Sequence, residues 1–148
     1  MGMPHPIIAS LLFFISIMCS NTPAQAGKLA SCPDSPNCVS SQATDTRHAV
    51  APLSFNGDPQ HAWDALKTIV LKQQRTRIIR VDDHTLQAEC RSLVFRFVDD
   101  LEFLLVTNEQ LIHVRSASRT GYSDFGVNRR RVERIRREFT ELLTGQMH

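Results

Sequence analysis

Residues 76–118 read TRIIRVDDHTLQAECRSLVFRFVDDLEFLLVTNEQLIHVRSAS, and the fold turns on how this stretch divides. Thr76 to Val81 is short and β-branched, and Asp82, Asp83 and His84 then turn the chain. Leu86, Ala88 and Cys90 alternate with Gln87, Glu89 and Arg91, the period of a half-buried strand. Residues 94–98 follow as a further expected strand, with Phe95 and Phe97 on one face. Asp99 and Asp100 read as the next turn, residues 102–107 as a strand, Asn108 to Gln110 as a turn, and residues 111–118 as the returning strand. Strands joined by such short turns pair antiparallel, because parallel pairing needs a long crossover. The stretch is a meander.

Its flanks are helical. Asp58 is a capping residue and Pro59 suits the first helical position, where its missing N–H would be unpaired anyway. Ala62, Trp63, Leu66, Ile69 and Val70 recur at helical spacing, which predicts a helix over residues 59–73 with Trp63 as a core anchor. Downstream, Val132, Ile135, Phe139 and Leu142 mark an apolar stripe. A second helix is expected over residues 127–143, with Asp124 as its cap and Gly145 at its end. Residues 47–55 can form a first strand, held to a sheet edge by Pro52. The expected fold is α+β, in strand-helix-strands-helix order. An antiparallel meander of four to six strands carries two helices packed on one face.

The chain has 148 residues and a formal net charge of +2, which suits one core and argues neither for nucleic acid nor for an anionic surface. The first 26 residues hold no Lys, Arg, Asp or Glu. Residues 7–19 are an apolar run, and Ala24-Gln25-Ala26 is a small-x-small cleavage pattern. Residues 1–26 therefore read as a signal peptide, and the expected location is periplasmic or secreted. The run falls short of the roughly 18 residues a membrane span needs. Membrane association would come only through an uncleaved N-terminus or lipidation at Cys19, and the bulky Met18 disfavours the latter. Residues 27–46 read as an irregular arm and residues 47–148 as one domain. In an oxidising compartment Cys32 and Cys38, bracketing the stiff loop PDSPN, are expected to pair. Cys90 reads as a buried small hydrophobe.

The polar residues gather in residues 115–131, RSASRTGYSDFGVNRRR. Arg129 to Arg131 lie in a helical first turn, where the dipole disfavours cations, so acidic neighbours are expected. Asp124, Asp99, Asp100 and Glu102 are the candidates. One reading is a buried Arg–Asp network that locks helix to sheet. The other is an anion site in which Arg119 and Arg129 join N–H groups at the helix start. On the same helix, Arg129 and Glu133, Glu133 and Arg137, Arg134 and Glu138, and Arg137 and Glu141 are spaced to pair with one another. With no interleaved aromatic residues, this is a solvated face rather than a nucleic-acid surface. Asp99 and Asp100 have the residue types for acid–base chemistry, and with Glu102 for calcium, but Asp-Asp is also common turn chemistry. The histidines His48, His61, His84 and His113 are scattered, and no metal site or cofactor is expected. A Ser–His pair would need Ser116, Ser118 or Ser123 beside one of them.

Three segments carry a resemblance: LASCPDSPNCVSSQA at residues 29–43, FRFVDDLEF at residues 95–103 and VRSASRTGYSDFGVNRRRVE at residues 114–133. Together they resemble the family called domain of unknown function 1499. The matching positions are Cys32, Pro33, Ser35, Pro36, Asn37, Cys38, Val39, Ser40 and Ser41, then Asp99 and Asp100, then Arg115, Ser116, Ser118, Arg119, Gly121, Asp124, Gly126, Asn128 and Arg129. Cys90 falls outside this pattern. The resemblance implies a small exported or membrane-attached protein and supplies no reaction.

The function expected first is a non-enzymatic envelope-associated binding module. Its polar cluster would join Arg115, Arg119, Asp124, Asn128, Arg129, Asp99 and Asp100, and its partner would be an anionic small molecule or an acidic group of an envelope protein. The rival readings are a hydrolase using Asp99 and Asp100 as acid and base, and a structural protein whose charged motif only holds the fold.

Overall fold

The computed structural model describes residues 27–92 and 97–145. Its strands are β1 (Cys38–Ser40), β2 (Leu53–Ser54), β3 (Thr76–Val81), β4 (Thr85–Arg91), β5 (Val98–Val106) and β6 (Leu111–Ser118). Helix α1 (Pro59–Lys72) lies between β2 and β3, and α2 (Val127–Leu143) follows β6. The fold is α+β with an open, six-stranded antiparallel sheet ordered β1-β6-β5-β4-β3. Strand β2 also pairs with β6, so β1 and β2 divide one edge of β6 between them.

Helix α1 begins as its sequence dictates. Pro59 opens it, and the Asp58 carboxylate accepts from the His61 N–H at 2.9 Å. Its inner face buries Ala62, Trp63, Leu66, Ile69 and Val70, and the Trp63 indole N–H donates to the Asp82 carbonyl at 3.1 Å. Strand β4 buries Leu86, Ala88 and Cys90, as the alternation predicts. One core joins these residues to Leu101, Phe103, Ile112 and Val114 from β5 and β6, and to Val132, Ile135 and Phe139 from α2. Each of the larger side chains contributes roughly 1.5–3 kcal/mol by leaving water. The strand face away from this core carries Glu89, Asp100, Glu102, Arg115 and Arg119.

Four expectations are corrected. Asp99 and Asp100 do not form a turn; they lie near the start of the nine-residue β5. Two carboxylates can sit in a strand because each has a guanidinium partner, Arg131 for Asp99 and Arg119 for Asp100. The strand expected at residues 94–98 falls largely on residues 93–96, which lie outside the described residues. Phe97 is half exposed and precedes the strand, and Val98 opens β5. The arm is not wholly irregular, since it supplies β1, with Cys38 opposite Ala117. The residue immediately before α2 is Gly126, not Asp124, although Asp124 still supplies the capping carboxylate.

Candidate functional site

The expected polar cluster is divided in two by the sheet. Neighbouring strand residues point to opposite faces, so Asp99 and Asp100 cannot share a site once they lie in β5. Asp99 faces the helices and is 4% exposed. Asp100 faces away.

On the helix side the partner of Asp99 is Arg131. Its Nη2 donates to Asp99 Oδ2 at 2.6 Å, and its Nη1 donates to Asn128 Oδ1 at 2.6 Å and to Ser116 Oγ at 3.0 Å. The Ser116 hydroxyl donates to Asn128 Oδ1 at 2.6 Å. The Asn128 amide in turn donates to the Asn37 carbonyl and to Ser118 Oγ, both at 3.0 Å. Asn37 sends its own amide back to the Gly121 carbonyl. All four oxygen- and nitrogen-bearing side chains at the centre, Asp99, Ser116, Asn128 and Arg131, are buried. This network ties β1, β5, β6 and α2 together, and it is the helix-to-sheet lock expected as one reading of the motif. Its cation is Arg131, which the expected site omitted. The signal was present: Asn128, Arg131 and Ile135 lie at i, i+3 and i+7, so Arg131 continues the buried stripe of α2.

On the open face, Glu89 and Asp100 are directly opposite each other across β4 and β5. Like charges so placed repel. Arg119 sits between them, with Nε 3.0 Å from Asp100 Oδ1 and Nη2 2.8 Å from Glu89 Oε1. Arg77 adds a contact to Glu89 at 3.3 Å. The hydrogen bond from Arg119 holds the Glu89 carboxyl below its usual range. Asp100, then Glu89, raise the Arg119 guanidinium above its own. Arg115 is a separate pair with Glu102, which faces it across β5 and β6 at 3.2 Å.

The start of α2 holds the remaining residues. The Asp124 carboxylate accepts from Gly126 N–H at 2.9 Å and from Asn128 N–H at 2.7 Å, so the expected anion position is filled by the chain's own carboxylate. Arg129 finds no carboxylate there. It donates to the carbonyls of Ala49 and Arg47, both at 2.8 Å, and pins the segment before β2 to the helix. The expected charge ladder on α2 is only partly formed: Arg137 meets Glu141, Glu133 meets Arg136 instead of the residues four away, and Arg134 turns to Gln73 at the end of α1.

Cys32 and Cys38 form a disulfide, and Cys90 is buried and unpaired. The loop they define is held by His48, whose Nδ1 meets Asp45 Oδ2 at 2.9 Å and whose Nε2 meets the Ser35 carbonyl at 3.1 Å. A Ser–His contact does exist, but between Ser41 and His113 at 3.1 Å rather than at the serines considered. The Ser41 oxygen also accepts from Val114 N–H, so it orients the arm on β6. Among the described residues no three His, Cys, Asp or Glu side chains are placed to hold a metal ion, and no helix is long and apolar enough to cross a membrane.

A groove of about 670 Å³ opens on the sheet face opposite the helices. Residues 27–30 form one wall, Arg80, Asp82 and His84 another, and Glu102, Leu104 and Val106 the floor. The wall is fixed by the Gln42 side chain, whose Oε1 accepts from Leu29 N–H at 2.8 Å and whose Nε2 donates to the Gly27 carbonyl at 3.1 Å. Asp82 is itself pinned: the Thr85 hydroxyl, then the His84 and Thr85 N–H groups, lower its carboxyl to about 2. Sequence reasoning did not find this groove, because its walls are far apart in the chain and none carries a motif.

No curated protein matches the chain. A family model matches residues 28–139, a span that contains the buried network, the open-face ion pairs and most of the groove lining, and the chain belongs to that family, described as "Protein of unknown function (DUF1499)".

Proposed function

We propose that this chain is an exported, non-enzymatic binding module and that its ligand is an amphiphilic anion held in the groove beneath residues 27–30. The single observation that supports this reading is the clamped wall. Two hydrogen bonds with the Gln42 side chain hold residues 27–30 across an otherwise open sheet face, and a pre-formed cleft results. The floor offers Leu104 and Val106, and the wall adds Leu29. Lys28 and Arg80 stand on the rim and offer positive charge to a carboxylate or sulfonate head group, which at Arg80 competes with the Asp82 carboxylate 3.8 Å away.

The arginines first expected to bind the anion are already engaged. Arg119 is held by two carboxylates, and Arg129 by two carbonyls. The binding reading is favoured over the hydrolase one because Asp99 and Asp100 face opposite sides of the sheet and each is paired with an arginine. The test is a titration of the oxidised chain from Gly27 onward with anilinonaphthalene sulfonate, an amphiphilic anion whose fluorescence reports burial. Saturable one-site binding, weakened in both Gln42→Ala and Arg80→Ser, is expected. A folded protein that shows no saturable binding, or binding indifferent to both substitutions, refutes the proposal.

A further inference from the structure

The loop between β6 and α2 exposes its largest apolar side chains. Tyr122 is 74% and Phe125 86% exposed, and Val127 beside them is also exposed. The loop is firmly anchored at both ends. Asn37 holds the Gly121 carbonyl, and Asp124 holds the N–H groups of Gly126 and Asn128. Phe125 adopts φ +51°, a left-handed conformation that a bulky residue rarely takes, and Arg130 Nη1 donates to its carbonyl at 2.9 Å. A strained backbone that aims an aromatic ring into water contributes nothing to the core. Such strain persists where surrounding contacts impose it, and it gathers at sites of function.

The charge around the tip has one sign in excess. Arg129 and Arg130 donate to carbonyl oxygens, so their charges are not neutralised by those contacts, and exposed Arg47 adjoins Arg129. The acidic groups nearby are Asp124, engaged with backbone N–H groups, Asp45, engaged with His48, and Glu133 one turn further along α2, engaged with Arg136.

From this arrangement we infer that the loop is a membrane-surface contact, in which Tyr122 and Phe125 enter the interface of a bilayer bearing anionic lipid while the exposed Arg47 and Arg130 face its head groups. Aromatic rings favour this interfacial zone, and basic residues add attraction to an anionic leaflet. A protein partner would need a pocket shaped to a ring that stands almost fully clear of its own surface. A bilayer accommodates such a ring without one.

The test uses the chain from Gly27 onward, which holds every core residue named above and both anchors of the loop, and which lacks the apolar residues 7–19. Flotation is measured with vesicles of equal parts phosphatidylcholine and phosphatidylglycerol, and with phosphatidylcholine alone. Binding to the mixed vesicles only, weakened by salt, is expected. In Tyr122→Ser/Phe125→Ser it falls at least about tenfold at an unchanged unfolding midpoint. In Phe125→Trp the emission shifts to the blue on the anionic vesicles. The inference is overturned if the parent does not float with the mixed vesicles, if it floats equally with both kinds, or if the double variant floats as well as the parent. Cross-linking from the tip to a protein, without vesicle binding, assigns the loop to a protein partner and equally overturns it.

Discussion

Replacing Arg131 with alanine isolates the buried network. The substitution removes three hydrogen bonds, at 2.6 Å to Asp99, 2.6 Å to Asn128 and 3.0 Å to Ser116. It leaves the Asp99 carboxylate 4% exposed with its cation gone. Breaking a buried pair by removing one partner costs about 3–5 kcal/mol, most of it the penalty of the charge left behind. For a domain of this size that is a fall of about 10–20 °C in the melting temperature. Urea and thermal unfolding followed by circular dichroism measure it directly. The double variant Asp99→Leu/Arg131→Leu removes both charges and is expected to recover much of the loss, a coupling that a double-mutant cycle quantifies. Arg119→Ala is the control. Its side chain is 43% exposed, and pairs in such settings contribute little to stability. An Arg131→Ala protein within about 1 kcal/mol of the parent would refute the reasoning, since no buried pair of this geometry should be so cheap to break. So would an Arg119→Ala protein that loses as much stability as Arg131→Ala.

Two further outcomes follow. Asp82 and Glu89 have lowered folded-state pKa values, so their contributions are complete above their ordinary values and vanish as pH falls through the folded ones. For Asp82 the window runs from 3.8 down to about 2, and Asp82→Asn should make acid unfolding less steep there; an unchanged acid limb contradicts the assignment. Reduction of Cys32–Cys38 opens a short loop and should cost about 2 kcal/mol, with amide exchange rising first in residues 33–40. Protection that stays level on reduction would show that His48 and β1 hold the arm without the bridge.

The helices and most of the sheet were legible because their side chains repeat at 3.6 or 2 residues. Asp58-Pro59 marked the start of α1, and Leu86, Ala88 and Cys90 marked the buried face of β4. The pair Asp99-Asp100 was misread because turn chemistry and a charged strand have the same local composition. Only the distant partners, Arg131 and Arg119, make the strand tolerable. That single error joined two clusters that the sheet keeps apart. Arg131 was hidden by its neighbours: three consecutive arginines look alike until the apolar stripe is extended backwards to Asn128. Strand β1 has three residues, too few to show a period, and its pairing with β6 depends on residues nearly eighty positions away. The groove is legible only in three dimensions, since Gln42, Arg80 and Leu104 belong to separate elements.

Strand β6 accepts β5 on one edge and both β1 and β2 on the other, and α2 packs against it. During synthesis the arm is made well before β6, which only α2 follows. The disulfide can close early because its cysteines are local, but the arm has no sheet edge to join until residues 111–118 exist. Non-local pairing of this kind is slow to form. Until then the segments of β1 and β2 hold unpaired backbone and the α1 face lacks part of its cover, the kind of exposure that invites misassembly. A chain truncated before Leu111 should therefore leave the segments of β1 and β2 undocked, however intact their own residues are.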